Sequence, residues 1–251
     1  MVIIKTKEEI EKMIVAGKVL ANVHHELRNF IKPGVKTIEI DRFVENYLYE
    51  HGASPEEKGY EGYPYSVCTS VNDEVCHGFP SEYALKSGDI LNVDLVVNVD
   101  GWLADSGWSY EVGEVSDEAK RLLRVTKECM YKGIELARIG NRLGDIGAVI
   151  QEHAEKNGYS VVREFVGHGI GREMHEDPQV LHYGKAGHGL RIREGMVFTI
   201  EPMINQGKKE ITIDKNGWTA RTKDGSLSAQ YEHQLAITKD GPIIITDQGD
   251  C

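Results

Sequence analysis

The apolar residues of this chain recur in two distinct periods. Behind Thr6-Lys7-Glu8-Glu9, which fits a capping box, Ile10, Met13, Ile14, Leu20, Val23, Leu27 and Phe30 share the spacing of one helix face. Pro33-Gly34 ends that helix. Ile40, Val44 and Leu48 mark a second one, from about Thr37 to about His51. Further helices are predicted near 116–138 and 143–157. Alternating or continuous apolar runs predict strands near 66–72, 90–98, 102–112, 161–167, 196–203, 211–214, 218–222, 229–238 and 242–246. Asp100-Gly101, Asn216-Gly217, Asp224-Gly225 and Asp240-Gly241 are hairpin signals. Helices in pairs between groups of antiparallel strands predict an α+β fold. With no linker or low-complexity stretch, residues 1–251 read as one domain.

The segment "DILNVDLVVNVDGWLADSGWSY" (89–110) carries the most information. Leu91, Val93, Leu95, Val97 and Val99 form a wholly apolar face, and the opposite, mixed face carries Asp94. A two-residue turn at Asp100-Gly101 sets Val99 opposite Trp102, Val93 opposite Trp108 and Leu91 opposite Tyr110. The apolar face then continues across both strands. The same register puts Asp105 opposite Val96, so Asp94 and Asp105 become diagonal neighbours roughly 7–8 Å apart at the backbone. Two solvated surface aspartates are the plain alternative. Aspartate is disfavoured in strands, and like charges this close repel unless a cation lies between them. The pair therefore points to a divalent metal.

Two further acids interrupt apolar runs: Glu201 in "GMVFTIEPMI", where the proline that follows sets the strand at an edge or ends it, and Glu232 in the middle of "SAQYEHQLAIT". Isolated charges in such runs are rarely buried without a partner. A salt bridge to arginine or lysine would satisfy either one. Together, Asp94, Asp105, Glu201 and Glu232 balance two divalent cations, and with one histidine they suit a two-metal hydrolytic centre. The stretch "GHGIGREMHEDP" (167–178) offers His168 and His175. Their spacing would stack them on a helix, but the three glycines argue for a bend.

A net charge of −11 argues against a nucleic-acid partner. "MVIIKTKEEIEKM" carries too few apolar residues for a secretory signal, and no run approaches a membrane span. Cys68, Cys76, Cys129 and Cys251 form no CxxC pair and read as free thiols of a reducing cytoplasm. "GHGIG" fails as a phosphate loop because Arg172 stands where glycine is needed. His24, His25, His51, His153, His182, His188 and His233 read as surface or structural residues.

The ordered motifs "CTSVNDEVCHGFP" (68–80), "GDILNVDLVV" (88–97), "GHGIGREMHEDPQVLHY" (167–183), "FTIEPMI" (198–204) and "DGSLSAQYEH" (224–233) closely resemble the type I methionine aminopeptidases. The resemblance covers essentially the whole chain. It implies the pita-bread fold: a curved antiparallel sheet, helices on its outer face and two pseudo-symmetric halves. It implies metal ligation by Asp94, Asp105, His168, Glu201 and Glu232, with Asp105 and Glu232 bridging two divalent cations (cobalt, manganese, iron or zinc). It implies catalytic roles for His77, His175 and Glu201, and a methionine pocket formed by Tyr60, Tyr63, Cys68, His77, Met174 and Trp218, with His175 also touching substrate. A metal-bridging hydroxide would attack the scissile carbonyl, Glu201 would relay its proton, His175 would stabilise the oxyanion and His77 would orient the peptide.

The implied substrates are N-termini of new polypeptides, near the ribosome, with a small second residue; the implied enzyme is a cytoplasmic monomer. Two departures stand out. Met174 replaces a frequent phenylalanine, which implies an altered pocket shape. Glu57 stands where some relatives carry cysteine, and its expected place is the pocket rim. Two rivals share the fold. Proline-specific peptidases usually carry an extra N-terminal domain, for which Asp94 comes too early, and non-catalytic binding proteins tend to lose ligands that this chain keeps.

Overall fold

Thr6 opens helix α1 (Lys7–Phe30) with the expected capping box: Glu9 Oε2 accepts from the Thr6 N–H at 2.7 Å, and Thr6 Oγ1 accepts from the Glu9 N–H at 3.3 Å. The computed structural model describes residues 1–249; Cys251 lies outside the described residues. The order continues with α2 (Thr37–Glu50), β1 (Ser54–Pro55), β2 (Cys68–Val71), β3 (Glu74–Cys76), β4 (Ile90–Val99) and β5 (Trp102–Glu111). Next come α3 (Asp117–Leu136), α4 (Leu143–Lys156), β6 (Ser160–Val161), β7 (Gly167–Gly169), β8 (Glu176–Val180), β9 (Val197–Ile200) and β10 (Met203–Asn205). The chain ends with β11 (Ile211–Ile213), β12 (Ala220–Thr222), β13 (Ser228–Gln230), β14 (His233–Thr238) and β15 (Gly241–Ile244).

All named strand pairs are antiparallel. The β4–β5 hairpin adopts the predicted register, with Val93 opposite Trp108, Val96 opposite Asp105 and Val99 opposite Trp102. Asp100 and Gly101 both take positive φ, as a two-residue hairpin turn requires. On its other edge β4 pairs with β1 and β2. A five-stranded sheet runs β15-β14-β9-β7-β8, and two three-stranded sheets, β13-β10-β6 and β11-β12-β3, complete the curved wall. Helix α1 packs on β4 and β5, while α3 lies over β9, β10 and β13. One apolar core runs continuously from α1 through the inner face of β4 to α3, α4 and β14. Leu91, Val93, Leu95 and Val97 are completely buried in it. The opposite face of β4 and β5 is thereby left for the polar site.

Three expected strands break. The run 161–167 yields only β6 and the start of β7. The run 196–203 splits into β9 and β10 at Glu201-Pro202, where proline lacks the N–H a ladder needs. The run 229–238 splits into β13 and β14 at Tyr231-Glu232. The halves of each of the last two runs belong to different sheets. Asp224-Gly225 likewise turns the chain between strands of two sheets rather than closing a hairpin. Strands β1, β3 and β8 carry no pattern that sets them apart from loop. Cys68, Cys76 and Cys129 are buried free thiols, and no described helix is long and apolar enough to cross a membrane.

Candidate functional site

The β4–β5 hairpin brings Asp94 and Asp105 to one face, as diagonal neighbours across the ladder. The break between β13 and β14 delivers Glu232 beside them: its N–H donates to the Gly107 carbonyl at 2.8 Å, and Ser106 Oγ donates to the Glu232 carbonyl at 2.9 Å. Gly107 packs closely here. A Cβ on it would come within 3.3 Å of both Asp94 Cγ and Glu232 Oε2. Gln234 Oε1 accepts the Asp105 N–H at 2.8 Å and so ties β14 to β5 at the same level.

His168 and Glu201 arrive from β7 and the end of β9. His168 Nε2 stands 3.5 Å from Asp105 Oδ2 and 3.5 Å from Glu201 Oε1. Its Nδ1–H donates to the Gly169 carbonyl at 3.0 Å, which leaves the Nε2 lone pair facing the carboxylates. Ligand atoms of Asp105, His168 and Glu232 all lie within 4.8 Å of one another. Thr199 bridges the remaining pair: its hydroxyl accepts the His168 N–H at 3.0 Å and donates to Glu201 Oε1 at 2.7 Å. His182 Nε2 accepts the Glu201 N–H at 3.1 Å.

Burial, then the charges of Asp105 and Glu201, push the Asp94 carboxyl well above the ordinary range. Burial and the charges of Asp105, Glu201 and Asp94 do the same to Glu232. Glu201 is raised to about 7, by burial first, with His168 pulling it down and Asp105 pushing it up. Burial alone would lower His168, but its contacts with Asp105 and Glu201 overcome that and raise it to about 9. Carboxylates this crowded need protons or a cation between them. Four carboxylate oxygen donors and an imidazole with its other nitrogen tied to a carbonyl fit a divalent metal.

Asp94, Asp105, His168, Glu201 and Glu232 line a cavity of about 430 Å³. Tyr60, Tyr63, Cys68, His77, Met174, His175 and Trp218 line the same cavity, so every anticipated site residue meets there. Tyr63 packs edge-on against Trp218 at 5.1 Å and Phe79 at 5.2 Å, and its hydroxyl donates to the Val67 and Gly78 carbonyls. Cys68 pairs with Asp94 across β2 and β4. Burial, then the charges of Asp94 and Glu57, hold its thiol well above the usual value. His77 sits at φ 55, in the left-handed region, with Phe165 edge-on to its ring at 5.2 Å. Burial lowers it to about 4, so it is neutral. The Tyr60 hydroxyl and His175 Nδ1 are 2.8 Å apart. Burial and the neighbouring His168 lower His175 as well.

Glu57 departs from expectation. It is buried, not at a rim, and belongs to the cavity wall. Thr199, Gln234 and the positioning part played by His182 escaped the sequence reading. Thr199 lies two residues before Glu201, on the same strand face by period two, and Gln234 is a lone polar residue in an apolar strand; those were the available signals.

The model of metallopeptidase family M24 matches residues 11–239. The methionine aminopeptidase of Clostridium perfringens is 47% identical over 246 residues, covering 98% of this chain and 99% of that protein. Methionine aminopeptidase A of a Synechocystis species is 50% identical over 242 residues, covering 96% of each. The crystal structure of methionine aminopeptidase from Rickettsia prowazekii superposes with a TM-score of 0.97 at 47% identity, covering 98% of this chain and all of that one. With a motif set, a fold and a buried carboxylate-rich site that all agree, the chain belongs to metallopeptidase family M24 and has the pita-bread fold of the methionine aminopeptidases.

Proposed function

We propose that this chain hydrolyses the bond after an N-terminal methionine, in proteins and peptides whose second residue is small. The observation that carries the reading is one cavity lined both by four carboxylates and His168 and by apolar and aromatic side chains. An unbranched thioether fits walls of tyrosine, methionine, cysteine and tryptophan. A metallopeptidase of this family uses divalent metal, and we assign its ligands here to Asp94, Asp105, His168, Glu201 and Glu232, enough for two cations of manganese, iron, cobalt or zinc. When bound, such cations supply Lewis acidity, lowering the pKa of a water and polarising the scissile carbonyl.

The rest is work for side chains. Glu201 takes up a proton at its carboxylate and returns it to the leaving nitrogen. Thr199 and the His182 ring hold Glu201 in place for that transfer. A neutral His175 that accepts from Tyr60 at Nδ1 carries its proton on Nε2, and donates it to the carbonyl oxygen as negative charge builds. His77, neutral and fixed by strained backbone and Phe165, orients the peptide. A single domain carries all of these groups. The enzyme acts as a cytoplasmic monomer on polypeptides emerging from the ribosome.

The test is a paired assay of Met-Ala-Ser and an X-Pro dipeptide, each with and without chelator. Chelator-sensitive release of methionine from the first is the expected result. Cleavage of the X-Pro dipeptide alone, or of neither after metal is restored, overturns the reading.

A further inference from the structure

Lys5 lies just ahead of α1 and has no part in the chemistry above, yet it is buried. A lysine this buried needs a charged partner. Its Nζ donates to Glu176 Oε2, and the two side chains of this ion pair are only 3% and 5% exposed. The Lys5 backbone N–H donates to the Gly195 carbonyl at 2.7 Å, which fixes the residue to the turn ahead of β9. Glu176 Oε1 accepts the Arg172 N–H at 3.1 Å, so one carboxylate both closes the loop 172–176 and ties it to Lys5. That loop brings Met174 and His175 to the cavity wall. The two are held differently. Met174 is buried in an apolar cluster with Ile10, Met13 and Trp102. His175 is exposed, and its one hydrogen bond among the described residues runs to Tyr60.

We propose that Lys5 is a positioning residue for His175, acting through the buried carboxylate of Glu176. Glu176 follows His175 directly in the chain, so holding its side chain at two points fixes the backbone from which the imidazole projects. Without the Lys5 ammonium, the Glu176 carboxylate is a buried charge that lacks its cation, and breaking such a pair from one side is strongly unfavourable. Turning the carboxylate out to water relieves that cost, releases the Arg172 N–H and opens the loop. Met174 keeps its apolar anchor, whereas His175 loses the constraint beside it. A displacement of about 1 Å at a reacting group costs about 10²-fold in rate. The part given to His175 rests on the aminopeptidase reading; the anchoring of the loop does not.

The experiment compares the wild type, Lys5→Met, His175→Ala and the double variant Lys5→Met/His175→Ala on Met-Ala-Ser, with bound metal and amide hydrogen exchange measured for each. Lys5→Met is expected to keep its metal, to lose about 10–100-fold in kcat and to hold KM within about threefold, because Met174 stays in place. In the His175→Ala background the same substitution should change kcat by less than about threefold, since the group it positions is already gone. A merely structural part for Lys5 would lower kcat alike in both backgrounds. Amides of the loop 172–176 should exchange faster in Lys5→Met, while those of α3 and α4 keep wild-type rates. Should Lys5→Met misfold, Lys5→Met/Glu176→Gln, which leaves neither charge of the pair, replaces it with the same expectations. A wild-type kcat in Lys5→Met, an equal loss in the His175→Ala background, or loss of metal in step with activity overturns the proposal. Absence of methionine release by the wild type instead sinks the aminopeptidase reading, and the exchange rates then still decide whether Lys5 holds the loop.

Discussion

The imidazole rings of His168 and His175 lie 4.4 Å apart at an interplanar angle of 59°, yet they belong to different networks. His168 turns Nε2 toward Asp105 and Glu201 and anchors Nδ1 on its neighbour's carbonyl. His175 is hydrogen-bonded to Tyr60, and both line the same cavity.

That division predicts two different failures. His168→Ala should lose bound metal together with activity. His175→Ala should keep its metal and lose about 10²–10³-fold in kcat, the usual cost of one oxyanion donor. Metal analysis of the purified variants, paired with kinetics, checks both. Equal metal loss in the two variants would show the division to be wrong.

Thr199 holds His168 and Glu201 through one hydroxyl. Thr199→Val keeps the branched shape but orphans the His168 N–H and frees the Glu201 carboxylate. We expect about 10–100-fold weaker metal binding, the range seen for groups that orient ligands, and a loss of about 1–3 kcal/mol in stability. Thr199→Ser should recover most of both. Metal titration and thermal unfolding provide the readout; a valine variant matching wild type in metal affinity counts against the role.

Removing metal leaves four carboxylates and His168 crowded in one cavity. Metal at a hundredfold excess over its Kd should stabilise the fold by about 2.7 kcal/mol, or roughly 5–10 °C in Tm for a chain of this size. Scanning calorimetry before and after chelation measures it. An unchanged Tm would mean the assigned residues do not hold the metal.

His24, buried in α1, makes a pH prediction. Its Nε2–H donates to the Ser106 carbonyl at 3.2 Å, and the Tyr110 hydroxyl lies 2.7 Å from Nδ1. Burial lowers it from 6.5 to about 4. Above pH 6.5 the ring is neutral in both folded and unfolded chains, so it adds no pH dependence. Between 6.5 and 4 only the unfolded chain takes up the proton, so stability falls as pH falls, by roughly 3 kcal/mol across the window. His24→Gln should show a correspondingly shallower acid limb in urea unfolding. Identical slopes for variant and wild type would refute this.

The β4–β5 hairpin was legible in full. Alternation sorts its faces, Asp100-Gly101 closes the turn, and a slip of one residue would expose Leu91, Val93, Leu95 and Val97. The carboxylates of Asp94 and Asp105 therefore share a face by local pattern alone. Glu201 and Glu232 were legible as anomalies but not as places. Pro202 marks Glu201 as standing at a strand edge or end, whereas Glu232 reads as a charge in the middle of a strand; both stand where one strand ends and another sheet begins. Whether an apolar run continues or changes sheet depends on which strand lies beside it.

Helix α1, its cap and the hairpin register follow from contacts only a few residues apart, where periodicity and turn chemistry act without help. The convergence of five candidate ligands from four chain segments, the Thr199 bridge and the burial of Glu57 follow from contacts between distant segments. Glu57 shows the difference most plainly. Nothing around it in the chain marks it as buried, and its surroundings are set by Val96, 39 residues away, through one backbone hydrogen bond. Burial and charge proximity are properties of the packed chain, so the groups whose ionisation packing perturbs could be assigned only once the strands were assembled.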